Sequence, residues 1–268
     1  MRLEFDPMNA GKNPKGSESG DGKISVLVIS RSATNLSDLF VSIKNSKNRL
    51  PAEILVAWNG AGEPDTLLKK FPDLAIKIHR IEPYNFASNN NRLADLAQGE
   101  ILLFVNDDII LDPHCLHSAC EALKPDAIGV VGARLRYPDG PLQHAGIFFK
   151  DDGTPYHRYK HLLKHDDPIF AESFEVPAVT GAFMMVKSED FQQVRFNESY
   201  RVCGEDVAFC LRFTRITGKA ILYEASATAV HNEGLTRRIT GERLTPQDDL
   251  ERIKAEFRSA STTAGGSG

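Results

Sequence analysis

Residues 100–108 read EILLFVNDD, an apolar run that stops abruptly at Asn106, Asp107 and Asp108. Short apolar runs bounded by polar residues are the pattern of strands buried on both faces of a sheet. Working toward the N-terminus, AIKIHRI (75–81) alternates as a half-buried strand does, EILVAW (53–58) is stopped by Asn59-Gly60, and ISVLVIS (24–30) is a further buried run. Helical periods separate them: one through Leu39, Phe40 and Ile43, and one over 86–98 (FASNNNRLADLAQ), expected to end at Gly99 because glycine commonly follows a helix. This β-α-β-α-β-α-β order predicts an α/β fold with a mainly parallel central sheet covered by helices. Such sheets bind ligands beyond the carboxyl ends of their strands, where Asn59 and the Asn106–Asp108 run fall.

Past residue 112 the pattern changes. A helix is expected near 113–124, then shorter strands at IGVVG, ARLRY, AGIFF and GAFMMV (181–186). A helix over 205–217 carries Val207, Cys210, Leu211 and Phe213 mostly on one face and stops at Gly218. AILYE and ATAVH read as two strands, and PQDDLERIKAEFRS as a last helix with Leu250, Ile253 and Phe257 at three- and four-residue spacing. Residues 1–22 read as a flexible tail and 259–268 as a linker-like tail. Between them lies one domain, 23–258, with a nucleotide-like first half (23–112) and a mixed second half (113–258).

Composition narrows the function. The chain has 268 residues, with 32 basic against 36 acidic side chains. No basic excess argues against nucleic acid as a partner. Cys115, Cys120, Cys203 and Cys210 lack CxxC spacing and read as thiols of a reducing compartment. No run of 18 apolar residues and no apolar leader occur, so the expected location is the cytoplasm. P-loop, dinucleotide G-x-G-x-x-G, H-E-x-x-H and G-x-S-x-G motifs are absent in the contexts their chemistry needs.

Four local features carry chemistry. Asp107 and Asp108 place two like charges where the chain leaves the core, which a divalent ion bridging to phosphates would offset; a solvated turn is the plainer alternative. Glu205-Asp206 opens a helix, where carboxylates suit the dipole, yet one of them facing a pocket would serve as a general base. His231 ends a strand as either a structural histidine or a third metal ligand. His157, His161 and His165 share a four-residue spacing that offers a weak zinc alternative.

The segments YNFASNNN (84–91), GEILLFVNDD (99–108), IGVVGARLRYPDGPLQHAG (128–146), VPAVTGAFMMVK (176–187) and GEDVAFCLR (204–212), with the late His231, resemble inverting glycosyltransferases of the GT-A fold, family 2. The likeness covers about 24–240 and is strongest to bacterial O-antigen and capsule (rhamnosyl-type) enzymes. It implies a GT-A domain, a Rossmann-like half followed by an acceptor half. Asn106-Asp107-Asp108 stands at the D-x-D position, with Asp108 on the metal (Mg²⁺ or Mn²⁺) and Asn106 and Asp107 toward the ribose or diphosphate. His231 completes the metal site. Asn59 and Asn91 fall beside the base, and Ser30-Arg31 replaces the usual segment with an aromatic ring, leaving the Arg31 guanidinium to stack. Asp206, with Glu205, matches the general-base motif, and Gly181 lies in the loop under the donor sugar.

By that resemblance the partners are a UDP- or dTDP-linked nucleotide-sugar and a glycan or lipid-linked glycan acceptor, at the inner face of the membrane. Two alternatives compete: a non-catalytic GT-A-like module binding nucleotide or glycan in a larger assembly, and a nucleotidyltransferase. For the last helix, Arg252, Lys254 and Arg258 permit docking at a membrane, against ordinary packing on the domain.

Overall fold

The computed structural model describes residues 22–62, 64–233 and 247–264, so the expected tail over 1–22 lies, but for Gly22, outside the described residues. The first half alternates as expected: β1 (Ile24–Ser30), α1 (Ala33–Lys44), β2 (Glu53–Trp58), α2 (Asp65–Lys70), β3 (Ile76–Arg80), α3 (Phe86–Leu96) and β4 (Ile101–Asn106). The second half comprises β5 (Ile109–Leu111), α4 (Cys115–Ala122), β6 (Ile128–Arg136), β7 (Leu142–His144), β8 (Ile147–Phe149), β9 (Pro155–His157), β10 (Phe174–Glu175), β11 (Phe183–Lys187), α5 (Ser188–Val194), α6 (Glu205–Thr217), β12 (Ala220–His231) and α7 (Gln247–Ala264).

One mixed sheet runs β3-β2-β1-β4-β11-β6-β12-β10, with β5 and β7 added at β12 and β6. Strands β1–β4 are parallel, as are β6 and β12, while β11 runs antiparallel between β4 and β6. Register pairs Ser30 with Trp58 and Ile29 with Asn106, so three strand ends finish level on one edge. Alternate residues face opposite layers: Leu27, Leu55 and Phe104 pack toward α3, α5 and α6, whereas Val26, Val28 and Val56 pack toward α1 and α4. Burial on both faces explains why these strands read as unbroken apolar runs. Phe104, Phe191, Phe196 and Phe209 form a ring cluster with neighbouring centroids 4.8–5.5 Å apart.

Several boundaries differ from expectation. The helix expected over 86–98 ends at Leu96, short of Gly99. Gly99 is there for close approach instead: an added Cβ would lie 2.6 Å from Lys23 O and from Ser25 N. IGVVG and ARLRY are one strand, β6, and AILYE and ATAVH are one strand, β12, joined across a bulge between Glu224 and Thr228. The last helix continues past 258 to Ala264, into the stretch expected to be a linker.

That helix packs on its own domain. Ile253 is in the core, Phe257 stacks on Phe149 with centroids 4.7 Å apart, Arg252 donates to Ser199 O at 2.9 Å, and Lys254 pairs with Asp152 at 3.0 Å. Two of the three cations considered for a membrane face are thus engaged within the chain. Among the described residues no helix is long and apolar enough to cross a membrane.

Candidate active site

A cleft of about 1180 Å³ opens along the carboxyl ends of β1 and β4. Asn106, Asp107 and Asp108 form its floor because β4 ends there, beside β1. The two aspartates turn opposite ways. Asp107 points back to β1, where Ser30 Oγ donates to its Oδ2 at 2.5 Å. Burial pushes the Asp107 carboxyl up to about 6, and the neighbouring Asp108 charge adds to this while the Ser30 bond opposes it. Asp108 faces β12 instead. Antiparallel pairing of β5 with β12 sets His231 opposite Ile109, and Asn232 N–H donates to Asp108 O at 3.0 Å. His231 Nε2 therefore sits 3.1 Å from Asp108 Oδ1.

The orientation of that imidazole is set by its neighbours. Gln143 Nε2 donates to Glu233 Oε2 at 3.3 Å, which turns the amide oxygen toward His231 Nδ1, 2.6 Å away. The Gln143 oxygen accepts the Nδ1 proton, so a neutral ring presents a lone pair at Nε2. The Asn106 amide, 3.4 Å away, faces the same lone pair. Asp108 Oδ1 is buried and meets no hydrogen-bond donor among the described residues. The unpartnered Asp108 Oδ1 and the Nε2 of a neutral His231 thus face each other across a short gap, an arrangement that a cation between them relieves. Ligands of an octahedral ion about 2.1 Å from its centre lie about 3.0 Å apart, close to this separation. The residues fit a hard divalent ion. No group of three or more His, Cys, Asp or Glu gathers among the described residues, where Asp108 and His231 are the two that would hold such an ion, with phosphate or water supplying further ligands.

Asp206 stands on another wall, at the start of α6. Gly204 adopts φ +91° ahead of it, a backbone that favours glycine, and an added Cβ would run into Ile253 of α7. Asp206 Oδ2 accepts from Gly181 N–H at 2.8 Å and Oδ1 from Val207 N–H at 2.8 Å. Gly181 is also packed closely: a Cβ would lie 2.7 Å from Phe86 Cζ and 3.3 Å from Asp206 Cβ. Glu205 lines the cleft beside Asp206. The loop leading into them, 201–203, is tied by one buried carboxylate oxygen of α7, Asp249 Oδ2, which accepts from the N–H groups of Arg201, Val202 and Cys203 at 3.1, 2.7 and 3.3 Å.

Arg31 lies over the Tyr84 ring at 5.0 Å, and both line the cleft. Ser30 is a layer behind, holding Asp107. Asn59 and Asn91, expected beside the base, are not on the cleft wall. Asn59 donates to Ile81 O. Asn91 clamps the chain after α5, donating to Phe196 O at 3.0 Å and Glu198 Oε1 at 2.9 Å and accepting from Phe196 N–H at 3.1 Å. Its neighbour Asn90 lines the cleft instead. On an α-helix adjacent residues point about 100° apart, so a one-position error in alignment exchanges a wall residue for a clamp.

Sequence reasoning assigned no role to Gln143, Lys160 or Glu233, which all line the cleft. Glu233 is held down to about 2: burial would raise it, but hydrogen bonds from Tyr137 (2.6 Å) and Lys160 (2.9 Å) outweigh that. The signal for Gln143 was the LQH of 142–144, within a segment already singled out. The zinc alternative fails on placement: His157 meets His144, His161 stacks on Tyr137 at 4.3 Å, and His165 Nδ1 contacts Gly140 O at 2.8 Å.

A twisted mixed sheet with an acidic pair at the end of its fourth strand and a second carboxylate across the cleft defines a GT-A glycosyltransferase. Residues 25–195 match the model of glycosyl transferase family 2, and the chain belongs to that family. It is 29% identical over 231 residues to the O-antigen biosynthesis protein RfbC of Myxococcus xanthus, covering 82% of this chain and 18% of that protein. It is 32% identical over 221 residues to the uncharacterized protein y4gI of Sinorhizobium fredii, covering 77% of this chain and 23% of that protein. The chain therefore spans about a fifth of the curated relatives it matches. Among solved structures, GalNAc-T7 with UDP, GalNAc and Mn²⁺ aligns with a TM-score of 0.68 at 13% identity, over 87% of this chain and 48% of that one. Mannosyltransferase PcManGT from Pyrobaculum calidifontis, with GDP-Man and Mn²⁺, aligns with a TM-score of 0.60 at 14% identity, over 92% and 76%. Identities this low speak for a shared fold.

Proposed function

We propose that this glycosyltransferase inverts the anomeric carbon as it moves a hexosyl or deoxyhexosyl group from a UDP- or dTDP-linked donor to a hydroxyl of a growing bacterial surface polysaccharide or glycolipid. The observation that carries the reading is one cleft lined both by the facing Asp108–His231 pair, with Asp108 Oδ1 unpartnered, and by Asp206. The name of the Myxococcus relative supports the surface-glycan assignment, and the nucleotides and Mn²⁺ named for the two solved structures support a nucleotide-sugar with a divalent ion. Such an acceptor places the enzyme in the cytoplasm, at the inner face of the membrane. The whole of 23–258 acts as a single domain.

Asp108 and His231 would hold Mg²⁺ or Mn²⁺, which would offset the charge of the leaving diphosphate. Asp107, fixed by Ser30, and Asn106 border the same phosphates and ribose. The Arg31–Tyr84 stack offers a flat cationic face for the base. Asp206 takes the acceptor hydroxyl's proton as that oxygen attacks the anomeric carbon opposite the leaving group. Each Asp206 oxygen already holds one backbone N–H, which fixes the carboxylate's aim and leaves a lone pair free for the hydroxyl. Losing such a base costs about 10²–10⁴-fold in rate.

The test is binding and hydrolysis of UDP-, dTDP- and GDP-sugars, each with Mn²⁺, Mg²⁺ or EDTA. Metal-dependent binding of one nucleotide class is expected, weakened in Asp108→Ala, with slow hydrolysis lost in Asp206→Asn. No nucleotide bound under any condition would overturn the reading and favour a non-catalytic module.

A further inference from the structure

Two histidines that the mechanism does not use meet at the cleft wall. His144, fully buried at the end of β7, faces His157, which ends β9 and lines the cleft. Their Nδ1 atoms are 2.9 Å apart. The other nitrogen of His144, Nε2, is approached by the backbone N–H groups of Gly146 at 3.3 Å and Thr180 at 3.5 Å. A backbone N–H only donates, so His144 Nε2 carries a lone pair and the single proton of neutral His144 sits on Nδ1. That proton can be taken only by a lone pair on His157 Nδ1, which leaves the proton of His157 on Nε2. Burial pushes both rings below the ordinary histidine range, His157 to about 4 with the Lys160 charge adding, so both are neutral at pH 7. His157 Nε2 meets no partner among the described residues, and the half-buried ring lines the cleft.

The relay is joined to the candidate base. Thr180 N–H faces His144, and the next N–H, of Gly181, donates to Asp206 at 2.8 Å. The same short backbone segment therefore sets the tautomer of one group and the aim of the other. We infer that His157 Nε2–H is a fixed, uncharged donor to a sugar hydroxyl at the reacting end of the cleft, with His144 as the positioning residue that imposes its tautomer. A site built to donate to one hydroxyl rejects the sugar lacking it there, so this contact selects among sugars. The inference rests on the transferase reading above. The hydroxyl belongs either to the transferred sugar or to the acceptor, and the experiment separates the two.

The first measurement is ¹⁵N-histidine NMR on the intact, ligand-free protein. It is expected to show His144 protonated on Nδ1 and His157 on Nε2; a proton on His157 Nδ1 overturns the inference whatever the enzyme does. Binding follows, comparing UDP, dTDP and GDP with their sugar conjugates, on wild type, His157→Gln, which keeps an N–H donor, and His157→Phe, which does not. If the hydroxyl is on the transferred sugar, His157→Phe binds the conjugate about five- to tenfold more weakly, His157→Gln recovers part of that, and the diphosphate alone binds unchanged. If it is on the acceptor, conjugate binding is unchanged and the KM for rough lipopolysaccharide rises by a similar factor in His157→Phe. No change in either quantity overturns the inference. Wild type that binds no nucleotide overturns the transferase reading and the sugar ligand together, while the NMR still reads the tautomer on its own. His144→Leu is expected to leave His157 as a mixture of tautomers; the two His157 variants decide the matter if that buried replacement unfolds the protein.

Discussion

Removing the Asp249 carboxylate should act on both stability and catalysis, because one oxygen gathers three backbone donors from the loop that leads into Glu205 and Asp206. Asp249 is 3% exposed, so water does not readily replace it. Hydrogen bonds to a charged group are worth about 1.5–3 kcal/mol, and an abandoned buried donor costs about 1–3 kcal/mol. The three bonds share one acceptor and are not additive, and part of the loop is exposed and gains water when released. A total loss near 3 kcal/mol is the reasonable middle. For a domain of this size each kcal/mol lowers the midpoint by about 2–4 °C, so Asp249→Ala should melt about 6–12 °C below wild type. Asp249→Asn keeps one acceptor oxygen without the charge and should fall in between. Donor hydrolysis, measured well below both midpoints, should drop in Asp249→Ala by more than the fraction unfolded, since Gly204 and Asp206 lose their support. A midpoint within 1 °C of wild type would refute the claim that α7 buttresses this loop.

Gly181→Ala forces a methyl to within 2.7 Å of Phe86 Cζ and 3.3 Å of Asp206 Cβ, so turnover should fall at least tenfold while circular dichroism stays native; unchanged turnover would show that the loop yields freely. Gln143→Leu releases the His231 tautomer and should weaken Mn²⁺ affinity, read by electron paramagnetic resonance with the matching nucleotide diphosphate, by about 10–100-fold. Asp112 pairs with Arg136 at 2.6 and 2.8 Å and accepts from Thr228; these bonds outweigh burial and hold its carboxyl below the usual range. A carboxyl depressed on folding stabilises above its unfolded pKa of about 3.9 and loses that contribution as pH falls through the folded value. Denaturant titrations at pH 7 and stepwise below 4 should therefore find Asp112→Asn weaker at pH 7 and flatter on the acid side, and parallel curves would sink the assignment.

How far the sequence could be read depended on whether a residue's role was local. The strands β1, β2 and β4 were plain because burial on both faces leaves an apolar run that nothing else explains. Asp107, Asp108, Asp206 and Gly181 were legible as motif positions. The resemblance already set Asp108 apart from Asp107, but the physical reason was not legible, since only the register of β1 against β4 tells that Ser30 takes Asp107 while Asp108 turns to His231. Asn91 illustrates the opposite case: on a helix, being one residue from the wall means facing the interior, and no pattern in FASNNN separates the two. Gln143, Lys160 and Glu233 were invisible as a set, because they act as one hydrogen-bonded chain on His231 and two of them, Gln143 and Lys160, lie far from it in sequence.

The bulge in β12 explains both the misreading of that strand and the meeting of Asp108 with His231. Between Glu224 and Thr228 the strand advances four residues while its neighbour β6 advances one, from Ala133 to Arg134. Before the bulge the outer edge of β12 pairs with β10, through Tyr223 and Phe174; after it the edge pairs with β5, through Ala229 and Leu111. Two pairing regimes in one strand look, in sequence, like two strands. The second regime is what carries His231 alongside Ile109 and so beside Asp108. Side chains alternate along a strand, so a register displaced by one residue would present Val230 to the cleft and bury the imidazole on the other face. The pairing of a carboxylate with an imidazole at this site is thus a property of sheet register, fixed by a local irregularity some residues away from either side chain.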